Sequence, residues 1–125
     1  MAIDEVELHR MRKYLRDKAD RRSRLLDRRL SEARGDFDRI ARHIAETYAP
    51  KRILQWGSLI DDSHFREYSD IDIAVEGVTS AEEFFSILRD IEGMTDFPVD
   101  LVQMETIHPA FAESIRERGR VVYER

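Results

Sequence analysis

Cysteine is absent from the 125-residue chain. Disulfides and thiolate zinc sites are thereby excluded, and a cytoplasmic location is expected. Glycine and proline are sparse, at five and three residues, so each reads as punctuation between elements rather than as part of a flexible tract. No stretch approaches 18 consecutive apolar residues, so no membrane span is expected. The start, MAIDEVELHRMRK, is acidic and has no apolar signal core, which argues against export. The four histidines (His9, His43, His64 and His108) form no HxH or HxxxH pair, so a histidine-based metal site is not expected.

What the chain has in excess is charge. Asp, Glu, Lys and Arg make up 38% of it, against about a quarter in an average globular protein. The net charge of −5 conceals an asymmetry. Residues 1–56 carry 15 Lys/Arg and 10 Asp/Glu, or +5, whereas residues 57–125 carry 6 and 16, or −10. Such a split often marks a partner surface. The 42% of apolar residues is enough for one compact domain with a modest core.

From Val6 to Tyr48 the apolar residues recur at helical spacing: Leu8, Met11, Leu15, Ala19, then Leu26, Leu30, Ala33, Phe37, Ile40, Ile44 and Tyr48. The one gap falls in the arginine-rich DKADRRSRLLDRR. Gly35 followed by Asp36 predicts a break between two helices, and Pro50 closes the region. A first helix of about 30 residues would be about 45 Å long, more than a core of this size needs. Part of it is expected to project or to pack on another chain. The texture then changes, dividing the chain into a helical segment at 1–49 and a core at 50–125. RILQWG, SDIDIAVEG and PVDLVQM read as strands, and VVYE as a short edge strand. SAEEFFSILRDIEG reads as a helix capped by Ser80, and HPAFAESIRERG as another with Pro109 in its first turn. The fold class is α/β (α+β), a sheet covered by helices.

Two carboxylates stand out. Side chains alternate along a strand, so Asp70 and Asp72 share one face while Ile71 and Ile73 share the other. Acids so close repel each other unless a cation lies between them. Asp100 sits in a similar apolar setting, FPVDLVQ. If the two strands are neighbours, three hard oxygen ligands converge, which suits Mg²⁺ and, through it, phosphate. Gly57 ends the first strand, and Ser58 offers a hydroxyl and an N–H where a helix is expected to start, a place whose backbone donors suit phosphate oxygens.

The stretch GSLIDDSHFREYSDIDIAV together with the later VDLV resembles the DNA polymerase β-like nucleotidyltransferase superfamily. Within it, the chain is most similar to the minimal nucleotidyltransferases that act as antitoxins beside HEPN-domain toxins. The resemblance covers about residues 50–125 and implies a palm-like mixed sheet with flanking helices. It implies that Gly57 and Ser58 bind the triphosphate of ATP, and that Asp70, Asp72 and Asp100 hold two Mg²⁺ ions. Asp100 would also help to deprotonate the acceptor. The implied reaction moves AMP from ATP to a hydroxyl, here a tyrosine of a partner HEPN toxin, and releases pyrophosphate. The spacer between Ser58 and Asp70 is eleven residues, where the family usually has ten. It reads LIDDSHF where the family carries basic and glycine residues. Arg66 is then the nearest basic candidate for the nucleotide, ahead of Lys51 and Arg52, while Asp61 and Asp62 are loop surface.

Trp56 is expected to serve the core rather than stack on a base. The arginine run suggests nucleic acid, but Asp17, Asp20 and Asp27 lie three or four residues from arginines and form ordinary helix-surface pairs with them. Direct nucleic-acid binding is therefore not expected, and a hetero-oligomer with the toxin is. Two alternatives stay open. One is a catalytically weak antitoxin that neutralises its toxin by binding, and the other is a small-molecule nucleotidyltransferase.

Overall fold

The computed structural model describes residues 2–57 and 70–125. Ser58, Asp61, Asp62, His64 and Arg66 lie outside the described residues. The elements run α1 (Glu5–Tyr48), β1 (Arg52–Trp56), β2 (Ile71–Glu76), α2 (Ala81–Glu92), β3 (Val99–Gln103), α3 (Pro109–Arg118) and β4 (Arg120–Glu124). The four strands form one mixed sheet in the order β3-β2-β1-β4. β1 pairs antiparallel with both β2 and β4, and β2 pairs parallel with β3. The β2–β3 pair is parallel because α2 carries the chain back across the sheet between them.

The expected break at Gly35 does not occur. α1 is a single helix of 44 residues, about 66 Å long at the standard rise. Its buried residues, Leu30, Ala33, Phe37, Ile40 and Ile44, keep one unbroken stripe through the glycine, so tertiary packing outweighs the local cost of Gly35. Asp4 caps the start by accepting from the Glu7 N–H at 2.8 Å. The end is set by Ala49, which adopts a left-handed conformation and donates its N–H to Ile44 and Ala45, with Pro50 immediately after.

The sheet separates two cores. On one face Ile53, Ile71, Ile73 and Val75 meet the C-terminal half of α1 together with Ile87 and Ile91 of α2. On the other face Leu54, Ala74 and Val102 meet Ala112 and Ile115 of α3. Period-two alternation explains the division, since β2 sends Ile71, Ile73 and Val75 one way and Asp72, Ala74 and Glu76 the other. Two helix starts match expectation, since Ser80 caps α2 and Pro109 opens the first turn of α3, which His108 caps through Nδ1.

Polar ties fix α1 against α2. Tyr48 donates its hydroxyl to Asp90 at 2.6 Å, and His43 Nε2 lies 2.9 Å from the same carboxylate oxygen. The His43 and Tyr48 hydrogen bonds hold the Asp90 carboxyl below its usual range. Below Leu30 the picture changes, because residues 2–25 of the chain are exposed throughout. The N-terminal half of α1 projects from the domain.

A Cβ at position 35 would meet nothing closer than Arg39 Nη1 at 3.8 Å. Gly35→Ala should therefore raise stability by about 0.5–1 kcal/mol, the usual glycine-to-alanine difference inside a helix. Urea denaturation checks this, and a loss of stability would mean that the helix breaks at Gly35 in solution.

Candidate active site

The parallel register of β2 and β3 sets Asp72 opposite Asp100. Antiparallel pairing sets Trp56, the last residue of β1, opposite Asp72 on its other side. All three residues belong to the α3 face of the sheet, at the end where β1 finishes and β2 begins. Asp70 is exposed and immediately precedes β2. Asp72 is half-buried and Asp100 is exposed.

Gly57 closes the site from the β1 side. Its φ is +79°, a left-handed conformation that favours glycine. A Cβ there would stand 2.0 Å from Asp72 Oδ2, well inside contact distance. The Asp72 carboxylate therefore fills the space a side chain at 57 would need, and the backbone of Gly57 lies flush against it.

Burial is the main cause that pushes the Asp72 carboxyl up to about 7, and the negative charges of Asp100 and Asp70 add to it. All three predicted acids thus act on one point. They do not form a closed cage, since among the described residues no group of three His, Asp or Glu side chains is arranged to hold a metal ion. The donor set still fits Mg²⁺, which keeps several waters and is commonly bound by one or two carboxylates together with substrate phosphates. A bound cation would relieve the repulsion that raises the Asp72 pKa.

Two further features lie beside the acids. Trp56 is half-buried rather than wholly in the core, and packs edge-on against Phe111 of α3 with ring centroids 5.5 Å apart. Phe111 itself is exposed. Sequence reading missed Phe111, because in HPAFAESIRERG it looks like any apolar residue of an amphipathic helix. Further along the same face, Glu76 gathers Arg52 at 3.3 Å, Arg116 at 3.8 Å and Lys51 at 3.9 Å. Lys51 and Arg52, the secondary candidates for the nucleotide, are thus engaged with Glu76.

Comparison with known proteins fits this geometry. The family model described as "Polymerase beta, Nucleotidyltransferase" matches residues 39–125. No curated protein sequence matches the chain. Among solved structures, a toxin–antitoxin crystal structure with AMP-PNP gives a TM-score of 0.59 at 22% identity, covering 71% of this chain and 73% of that one. A mutant of the MntA–HpeT toxin–antitoxin gives 0.60 at 17% identity over 71% and 73%. The tri-AMPylated HEPN toxin of Shewanella oneidensis in complex with its MNT antitoxin gives 0.55 at 18% identity over 74% and 73%. At these identities the likeness establishes the fold.

The raised Asp72 pKa gives a signed pH dependence. An acid whose folded pKa lies above its unfolded value holds its proton more tightly in the native state. Its favourable contribution is complete below about pH 4, the unfolded value, and is lost as pH rises toward 7. In metal-free buffer, stability should fall between about pH 4 and about pH 7 more steeply in the wild type than in Asp72→Asn. Parallel urea titrations across that window test it, and identical slopes would rule out the shift.

Proposed function

We propose that this chain, which belongs to the polymerase β nucleotidyltransferase family, transfers AMP from ATP to a tyrosine hydroxyl of a HEPN-type partner protein and serves as its antitoxin. The observation that carries the reading is the Asp72–Asp100 pair, held in register on adjacent strands beside a glycine whose missing side chain leaves room for the Asp72 carboxylate. The architecture shared with a toxin–antitoxin solved with AMP-PNP and with a complex containing an AMPylated HEPN toxin supports the choice of nucleotide and partner.

In this reading Asp70, Asp72 and Asp100 hold Mg²⁺, and Gly57, Ser58 and Arg66 receive the triphosphate. The cation would neutralise charge on the phosphates and orient them for in-line displacement. Asp72, half-buried and crowded by two other acids, is the anchor for that positive charge. The exposed Asp100 is the carboxylate with room to take the proton of the incoming hydroxyl. The acceptor oxygen forms a bond to the α-phosphorus, the bond from that phosphorus to the bridging oxygen breaks, and pyrophosphate leaves with the electron pair. Gly57 keeps the approach open, since any Cβ there would displace the Asp72 carboxylate. Ser58 and Arg66 are assigned by the sequence motif alone.

Incubation of the chain with ATP, Mg²⁺ and the HEPN partner should add the mass of one or more AMP groups to the partner. Replacing Asp70 and Asp72 together by Asn should reduce that transfer to below about 1% of wild type, as expected when the electrostatic centre of such a site is removed. Intact-mass spectrometry reads both results. Undiminished transfer by the double variant would overturn the site assignment. Neutralisation of an unmodified partner would instead identify an antitoxin that works by binding alone.

Replacing Gly57 by Ala offers a separate check of the close approach. The added Cβ must push the Asp72 carboxylate aside, so transfer should fall by about 100-fold or more while the fold is kept, a loss typical of a reacting group misplaced by about 1 Å. Circular dichroism and single-turnover transfer measure the two outcomes, and wild-type transfer by Gly57→Ala would refute the packing argument.

A further inference from the structure

The stripe of α1 that docks on the sheet does not stop where the domain stops. At 100° per residue, Leu8, Met11, Leu15, Ala19 and Leu26 continue the line of Leu30, Ala33, Phe37, Ile40 and Ile44. In the second group these side chains are buried, whereas in the first Met11 is 50% and Leu15 60% exposed. One seam thus serves the core along half of its length and meets solvent along the other half. This projecting half precedes the region matched by the family model, which begins at residue 39, so it is an addition to the nucleotidyltransferase domain.

Its charge is ordered around the stripe. Residues 10–29 contain ten Lys/Arg and three Asp/Glu, a net +7. Arg12 and Lys18 border the stripe on either side, Arg16 lies one step further out, and Arg22 falls within it, all of them exposed. The three acids, Asp17, Asp20 and Asp27, all fall on the turned-away faces of the helix. A surface complementary to this seam must therefore be apolar along its middle and acidic along its margins.

A second copy of the chain does not supply such a surface. Two projecting helices laid together would bring basic margin against basic margin. The rest of the chain, residues 30–125, is acidic, with 11 Lys/Arg and 20 Asp/Glu for a net −9, but its described residues offer no matching apolar seam. Among the described residues outside α1, the exposed large hydrophobics are Ile3, just ahead of the helix, and Phe85, Phe111 and Val121, on three different elements. Nucleic acid would leave the apolar stripe unused and would face the interleaved acids.

We propose that the projecting half of α1 is a docking surface for a protein partner that presents an apolar helical seam bordered by Asp and Glu. In proteins most helical stability comes from tertiary packing of one apolar face, and such a partner would complete that packing as the sheet does further along. A partner held on this seam would bind whether or not AMP is transferred.

The probes are two synthetic amphipathic helices of about 28 residues with the same leucine seam, one flanked by Glu and one by Lys. The full-length chain should bind the Glu-flanked peptide at least about tenfold more tightly than the Lys-flanked one, and binding should weaken about tenfold between 0.05 and about 0.5 M salt. Met11→Asp with Leu15→Asp should cost at least about tenfold in affinity, a seam position on the exposed half being remote from the core. Reversal of Arg12, Arg16 and Lys18 to Glu should switch preference to the Lys-flanked peptide, while Lys13→Glu with Arg24→Glu on the outer face should leave the ranking unchanged. Failure to bind the Glu-flanked peptide, or indifference to the seam and margin variants, would overturn the proposal. So would tighter binding to phosphatidylserine vesicles or duplex RNA, or a dimer in sedimentation equilibrium that dissociates in Met11→Asp with Leu15→Asp.

Discussion

The parallel pairing of β2 with β3 places one carboxylate, Asp72, against another, Asp100, and much of the surrounding structure follows from keeping them there. The pairing needs a crossover, which α2 provides, and it needs a register, which the apolar face provides. A slip of one residue would bring the aspartates into the core with Ile87 and Ile91 and expose Ile71, Ile73 and Val75. The burial of those three side chains is what holds two like charges side by side. Gly57 completes the constraint, because the Asp72 carboxylate occupies the volume that any other residue would fill.

The two faces of the sheet divide the work. The face toward α1 and α2 is apolar and closed, with Asp90 bridging Tyr48 and His43 at its margin. The face toward α3 is half core and half polar, grading from Leu54, Ala74 and Val102 to the acids at one end and the Glu76 ion cluster at the other. Stability is concentrated on one side, which leaves the other free to carry a raised pKa. The same division explains why Trp56 is only half-buried, since it faces α3 and leans on Phe111 at the margin of the smaller core.

α1 shows how a single periodic pattern can meet two environments. Its stripe from Leu30 to Ile44 is satisfied by the sheet. The junction is marked by Arg29, whose guanidinium carbon lies 4.8 Å from the Phe97 ring centroid. Beyond it the stripe continues with basic margins and no covering element among the described residues. Nothing in the helix itself distinguishes the two halves apart from charge, and no helix in the described residues is long and apolar enough to cross a membrane.

Much of this was legible in the sequence, and the limits were physical. The strands around RILQW, IDIAVE and VDLVQ declared themselves through short apolar runs, and the Ser80 cap through short-range chemistry. The Asp-x-Asp spacing pointed to a shared side for Asp70 and Asp72, because alternation is a property of the strand alone, but Asp70 lies just before β2 and only Asp72 falls within the strand. The continuity of α1 was misread, since a glycine followed by aspartate is a local stop signal that only the packing of Phe37 and Ile40 on the sheet overrides. The closeness of Gly57 to Asp72 and the contact of Trp56 with Phe111 were equally out of reach, as they join residues far apart in the chain. Sequence by itself determined the strands and the two shorter helices, their polar and apolar faces, and the acids available for chemistry, because these depend on neighbours within a few residues. Only the tertiary structure decided that Asp100 lies opposite Asp72, that burial and repulsion raise the Asp72 pKa, and at which residue of α1 the core ends. Each of these depends on which distant segments share a sheet and where the core ends.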